Sequence, residues 1–152
     1  MLPIFIRAAT ADDQATIRTM VRAARLNPFH LDWPRFIVAE EQGQIVGMGQ
    51  IKVLGGGTRE LASLVTAPTH QGLGIGGAIV RTLQAIAPGP LYLRCATHNV
   101  AFYQRFGFVD LTPDAMPPDL RRTYLIVRRV LRIVNVVASG QESMHIMRWQ
   151  VE

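Results

Sequence analysis

Cysteine is nearly missing from this chain. Cys95 stands alone among 152 residues, so no disulfide framework can form. Four histidines, His30, His70, His98 and His145, are scattered without metal-ligand spacing. With one cysteine beside them, a structural zinc site is not expected. No run of 18 apolar residues occurs, so no transmembrane segment is expected. Met1 to Thr10 holds a short apolar stretch broken by Arg7. It lacks the charged start and long apolar run of a signal peptide, and the expected location is cytoplasmic. Nearly all basic residues are arginine, and the formal net charge is +5. Acids are missing from the centre: Leu61 to Val109 contains no Asp or Glu, while Arg81, Arg94 and Arg105 are there. An acid-free central segment suits a polyanionic ligand.

Hydrophobic residues make up 49% of the chain and charged residues 18%, a globular composition. The length suits one domain with a real core, and residues 1–152 are expected to form one. Ile4 to Arg7 reads as a first strand. Thr10-Ala11-Asp12-Asp13 offers a helix cap with acids in the first turn, followed by Ile17, Met20, Val21 and Ala24 at helical spacing. Phe36 to Glu40 and Gln44 to Val53 form a hairpin around Gln42-Gly43. Gly55-Gly56-Gly57 turns the chain into a strand from Arg59 to Thr66. A glycine-rich loop, Ala67 to Gly77, then opens a helix with Ile79, Val80, Leu83 and Ile86 on its apolar side. Leu91 to Cys95 is a short strand, Asn99 to Phe106 a short helix, and Phe108 to Leu111 another strand. The order predicts a mixed α/β sheet.

Residues 113–139 differ in character. From Pro118 a helix is expected with Leu120, Tyr124, Val127, Val130, Leu131 and Val134 on one side. Arg121, Arg128, Arg132 and Asn135 lie on the other, beside Arg122 and Arg129: a basic amphipathic insertion. Ser143 to Val151 is expected to close the sheet.

The glycine loop has two readings. Gly72-Leu73-Gly74-Ile75-Gly76-Gly77 satisfies the dinucleotide pattern G-x-G-x-x-G. That reading fails on context: some five residues separate the preceding strand from the first glycine, and no acid ends the next strand to hold a ribose. A P-loop is excluded because no Gly-Lys-Ser/Thr follows. The second reading begins at Gln71. Gln71-x-x-Gly74-x-Gly76, preceded by Leu64-Val65-Thr66 and Pro68, resembles the acetyl-CoA loop of the GNAT superfamily of N-acetyltransferases. Glycines let main chain approach a pyrophosphate, and N–H groups at a helix start point towards it. A second element agrees. Phe102-Tyr103-Gln104-Arg105-Phe106-Gly107-Phe108 resembles the F-Y-x-x-x-G-F element found later in that family, with Gly107 as helix C-cap. The resemblance covers roughly Ile4 to Leu111.

It implies a GNAT acyl-CoA N-acyltransferase fold with a helical insertion before the last strand, and acetyl-CoA as cosubstrate. Leu64, Val65 and Thr66 would offer backbone groups to the pantetheine and the thioester oxygen. Gln71, Gly72, Leu73, Gly74, Ile75 and Gly76 would cradle the pyrophosphate. An amine attacks only when neutral, so a general base is useful. Glu60 is the candidate, eleven residues before Gln71 as in the histone-acetyltransferase branch; the opposing reading is a solvated strand-start residue paired with an arginine. Tyr103 matches the tyrosine that protonates the departing thiolate in many relatives, against a plain packing role. Many relatives carry an asparagine seven residues before that tyrosine. Here the position is Ala96, and Asn99 is read as a cap of the short helix. Cys95 is read as inert packing.

The expected activity is acetyl transfer to a primary amine of a small molecule or peptide by direct attack in a ternary complex. The alternative is a non-catalytic CoA-binding or protein-interaction module of the same fold. Phe29 and Trp33, between the first helix and second strand, either line an acceptor pocket or staple that loop to the core. No nucleic-acid readout is expected, and a homodimer stays open.

Overall fold

The computed structural model describes residues 2–135 and 143–151. Among them the strands are β1 Ile4–Ala8, β2 Phe36–Glu41, β3 Gln44–Val53, β4 Arg59–Thr66, β5 Leu91–Ala96, β6 Val109–Asp110 and β7 Met144–Trp149. The helices are α1 Gln14–Ala23, α2 Ile75–Ile86, α3 Val100–Gln104 and α4 Pro118–Asn135. The strands hydrogen-bond in the order β1-β2-β3-β4-β5-β7-β6. Pairing is antiparallel for β1–β2, β2–β3, β5–β7 and β6–β7, and parallel where Glu60 of β4 faces Tyr92 of β5. This is the mixed sheet read from the sequence. The chain divides into two compact units, Met1–Lys52 with Leu61–Pro88, and Val53–Glu60 with Gly89–Glu152.

In the first unit the β2–β3 hairpin turns at Gln42 and Gly43, both left-handed at φ 48° and 78°. That pair of signs matches the twist of the flanking strands. One core cluster joins Ile17 and Val21 of α1 to Phe36 and Val38 of β2, Met48 of β3 and Val65 of β4. On α2 the buried residues are Ile75, Gly77, Ile79, Val80 and Leu83. Ile86, expected on that apolar side, is instead 59% exposed; it falls in the last turn, where the helix ends at Ala87. Two glycines of β3 let α2 approach. A Cβ on Gly47 would lie 2.8 Å from Ile75 Cγ2, and one on Gly49 would lie 2.9 Å from Ile79 Cγ2.

The entry to α1 is held by side chains. The Asp13 carboxylate accepts from the Thr10 backbone N–H at 2.7 Å and from Arg7 Nη1 at 2.7 Å. Arg7 Nε also donates to Glu40 at 2.6 Å. The Arg7 hydrogen bond, with help from Thr10, holds the Asp13 carboxyl below its ordinary value despite burial. The capping acid read from Thr10 to Asp13 therefore serves a short 3-10 turn, Ala11–Asp13, with α1 following directly.

In the second unit β5 alternates, with Leu91, Leu93 and Cys95 buried and Tyr92, Arg94 and Ala96 half-buried. Leu120 of α4 is buried with Met116 and Ile146, against Leu54, Tyr92, Leu111 and Tyr124. Asp119 fixes the start of α4. Its carboxylate accepts from the backbone N–H groups of Gly56, Thr58 and Leu120 and from the Thr58 hydroxyl at 2.6 Å. Further along, only part of the apolar side read from the sequence is covered. Tyr124 and Val127 are half-buried, but Val130 is exposed, as are Leu125, Ile126 and Ile133, the last at 71%. The apolar positions spread around the helix faster than one core-facing stripe can absorb. The side-chain surroundings of Leu131, Val134 and Asn135 lie outside the described residues, as do residues 136–139 of the expected insertion. Among the described residues no helix is long and apolar enough to cross a membrane.

Candidate active site

The loop after β4 is built in stages. Ala67 N–H donates to Val46 O at 2.8 Å, and His70 N–H donates to Ala67 O at 2.8 Å, closing a turn over Pro68–His70. The His70 ring is held between Glu41 at 2.7 Å and Thr69 at 2.8 Å. Gln71 reaches back, its Nε2 donating to Thr66 O at 3.3 Å. Gly72 and Gly74 then take φ values of 77° and 83°, which only glycine adopts without steric cost. Gly74 is the N-cap of α2 and accepts from Ala78 N–H at 3.0 Å.

Gly72, Leu73 and Gly74 are exposed, and nothing lies within 4 Å of where a Cβ would stand on either glycine. The first turn of α2 contains no acid. Its leading N–H groups have no partner inside the helix, so they carry partial positive charge towards open space. That arrangement suits a phosphate. Ile75 contributes only main chain there, since its side chain is buried.

Before the loop, β4 contains an irregularity the sequence did not reveal. Ser63 has φ 55° in mid-strand. A non-glycine residue held left-handed costs about 1–3 kcal/mol and bends a strand as a bulge does. Val65 is buried in the core cluster, while Leu64 and Thr66 are half-buried. The Ser63 Oγ accepts from Gln50 Nε2 at 2.8 Å.

Gln50 and Lys52 also serve the loop between α1 and β2. Gln50 Nε2 donates to His30 O at 3.1 Å, and Lys52 Nζ lies 3.4 Å from Phe29 O. Gln14 donates to Leu31 O at 2.6 Å and accepts from Trp33 N–H at 2.9 Å. Trp33 packs on the core, whereas Phe29 is 68% exposed. The staple is thus Trp33 and three polar side chains, with Phe29 left facing outward.

The second unit holds the two residues read as catalytic. Glu60 is 3% exposed, against the solvation of the opposing reading, while its position at the start of β4 and its arginine partner agree with that reading. Its Oε1 accepts from Arg94 Nη2 at 2.9 Å and Nε at 3.3 Å. Oε2 is buried with no hydrogen-bond partner among the described residues. Arg94 comes from β5, the strand after α2, which carries no acid of its own. Tyr103 sits on α3, its ring edge-on to Phe102 at 5.0 Å and Phe108 at 5.9 Å. Burial first, and the neighbouring Cys95 second, push its phenol up to about 12.

Gly107, at φ 85°, ends the turn after α3 as expected. Gly107 N–H donates to Gln104 O at 3.0 Å and Phe108 N–H to Tyr103 O at 3.3 Å, the reversed pattern that closes helix ends. Asn99 occupies the N-cap position of α3 but makes no side-chain cap bond, so the capping role read for it is corrected. Cys95 is buried, and its thiol is raised to about 11, first by burial and then by Asp110. His145 is engaged by Asp110 at 2.7 Å and Thr97 at 3.1 Å.

Gln50, Ser63 and Arg94 were missed by sequence reasoning. Gln50 had a weak signal, since it shares the buried side of β3 with Met48 by strand alternation. Ser63 had none.

Comparison with solved structures gives several likenesses across nearly the whole chain. N-acetylglutamate synthase from Neisseria gonorrhoeae, complexed with coenzyme A and N-acetyl-glutamate, is 18% identical with a TM-score of 0.73; the match covers 100% of this chain and 36% of that one. The present chain therefore spans about a third of that enzyme. A Mycobacterium tuberculosis protein in complex with CoA is 21% identical, with a TM-score of 0.71 and coverage of 97% and 99%. The ribosomal-protein alanine N-acetyltransferase of Escherichia coli is 16% identical, with a TM-score of 0.67 and coverage of 99% and 95%. At such identities the likeness establishes the fold. No curated protein matches the sequence. The family model described as the acetyltransferase (GNAT) family matches residues 5–108. That span holds the glycine loop and the turn at Gly107, and the chain belongs to the GNAT family of acetyltransferases.

Proposed function

We propose that this protein is an N-acetyltransferase that moves an acetyl group from acetyl-CoA to a primary amine, with residues 1–152 acting as one catalytic domain. The observation that carries the reading is the open start of α2. Two exposed left-handed glycines, with nothing within 4 Å of a Cβ on either, lead into a helix start whose first N–H groups lack an intrahelical partner, within a GNAT chain. Gln71 to Gly76 hold the pyrophosphate, and the main chain of Leu64, Val65 and Thr66 holds the pantetheine arm.

The neutral amine nitrogen attacks the thioester carbonyl carbon. A backbone N–H of β4 stabilises the oxyanion. The C–S bond then breaks, the amide forms, and the ammonium proton leaves. Glu60 is the acceptor for that proton, directly or through water. Arg94 occupies one of its oxygens and leaves Oε2 with a lone pair to spare. Tyr103 faces the departing sulfur in this scheme. A phenol near 12 is a weaker acid than a thiol of pKa ~8.5. Tyr103 accordingly stays protonated through neutral pH and stabilises the thiolate by donating a hydrogen bond.

One observation favours a second reading. The Glu60–Arg94 pair resembles a structural ion pair as much as a poised base, which a non-catalytic CoA-binding or protein-interaction module would also keep. The test separates them. Acetyl-CoA should raise the melting temperature, because a ligand that binds only the folded state must stabilise it. CoA release should then follow on adding an acceptor. Amino acids come first, given the N-acetyl-glutamate in the Neisseria enzyme, then polyamines, aminoglycosides and peptides. Stabilisation without CoA release across all these amines would favour the binding module.

A further inference from the structure

We infer that Gln50 is a positioning residue for the thioester carrier, holding β4 in the bent form that receives the pantetheine arm; this rests on the proposed acetyl-CoA function. Gln50 is fully buried. Its amide nitrogen spends both hydrogens, one on Ser63 Oγ at 2.8 Å and one on His30 O at 3.1 Å. A backbone carbonyl only accepts, so the His30 contact fixes which end of the amide is nitrogen.

Both residues it holds have left-handed backbone, His30 at φ 59° and Ser63 at φ 55°. Four non-glycine residues among those described are left-handed: Arg25, His30, Gln42 and Ser63. Arg25 follows the end of α1 and Gln42 sits in a hairpin turn, places where such angles are common. His30 lies in the loop between α1 and β2, again an ordinary place. Ser63 alone of the four lies inside a strand. A serine there gains by returning to extended backbone, and that return would shift the alternation of Leu64, Val65 and Thr66 by one face. Gln50 opposes the return by gripping the serine hydroxyl. The same amide ties the α1–β2 loop to this point, so a change in that loop at His30 is felt at the bend in β4.

The burial of Gln50 Oε1 without a partner among the described residues speaks to cost. A buried, unmatched carbonyl lowers stability, so the amide is poorly explained as a stabilising device. Its value lies in where it puts Ser63.

Calorimetry with acetyl-CoA tests this on four proteins: wild type, Gln50→Leu, Ser63→Gly and the double variant. Leucine is close in volume and needs no partner, so Gln50→Leu should melt near wild type yet bind acetyl-CoA about fivefold more weakly, the worth of one hydrogen bond. Glycine takes the left-handed angle unaided, so the loss from Gln50→Leu should shrink towards nothing in the Ser63→Gly background. A merely structural glutamine would give the same loss in both backgrounds, and that result overturns the inference. So does wild-type affinity in Gln50→Leu. Should Gln50→Leu fail to fold, Ser63→Ala, which keeps serine's steric cost at the left-handed angle but loses the gripped hydroxyl and so is free to return to extended backbone, must show the same weakened binding. A wild-type protein that does not bind acetyl-CoA would instead bring down the proposed function, and this inference with it.

Discussion

The loop before α2 and the turn after α3 both rely on left-handed glycine, Gly72 and Gly74 at φ 77° and 83° and Gly107 at 85°. Their surroundings differ. A Cβ on Gly72 or Gly74 would meet nothing within 4 Å, while one on Gly107 would stand 3.3 Å from Trp149 Cδ1. The first turn is kept open and its donors face outward. The second is closed, its N–H groups consumed by Gln104 O and Tyr103 O. Similar φ angles therefore mark an open helix start in one place and a closed helix end in the other. What separates them is the fate of the amides, which φ alone does not report.

Several variants would break or sharpen this contrast. The largest effect is expected from Tyr103→Phe, which keeps the ring contacts of the closed turn and removes only the hydroxyl. Turnover should fall about a hundredfold, the low end for losing one hydrogen-bond donor to developing charge, with acetyl-CoA affinity little changed by calorimetry. A phenol near 12 also implies that the wild-type rate shows no alkaline decline from this group below about pH 11. Next comes Gly74→Val. A β-branched residue cannot hold the angle, and loss of charge-assisted amide contacts should weaken acetyl-CoA binding about tenfold or more.

Gly107→Ala is the matched partner of that variant. It carries a backbone cost of about 1–2 kcal/mol, lowering the melting temperature by roughly 2–8 °C. Acetyl-CoA affinity should stay at the wild-type value. If both glycine variants lost affinity alike, the distinction between open and closed turns would fail.

The smallest effect concerns a third turn, the entry to α1, which uses side chains in place of glycine. Asp13 has its carboxyl depressed below the ordinary ~3.9 by Arg7. Its contribution is therefore fully present above that value and is lost as pH falls through the folded-state value. Asp13→Asn should melt lower than wild type at pH 7, and the gap should close below about pH 4.

Much of this was legible in the residues, and the misses have physical causes. Strand and helix order followed from periodicity and turn chemistry, and the two glycine elements located the loop and the cap. Ile86 was placed inside because period alone carries no information about where the covering surface stops. Val130 of α4 lies on the apolar side read from the sequence and is exposed for the same reason. Glu60 was judged between a solvated residue and a base. The partner that buries it, Arg94, lies 34 residues away and no local pattern joins them. Ser63 was invisible because its angle is imposed by Gln50 across strands. Long-range hydrogen bonds escape local reading wherever the sequence at both ends looks ordinary.

The two side chains that β3 lacks have a reach beyond their own strand. Gly47 and Gly49 leave room for Ile75 and Ile79, and Ile75 is the first residue of α2. The seat of that isoleucine sets how deep the helix sinks, and so the height at which its leading amides stand. A methyl group added at Gly47 would stand 2.8 Å from the Ile75 side chain, so the floor under those amides would have to give although the loop glycines themselves are unchanged.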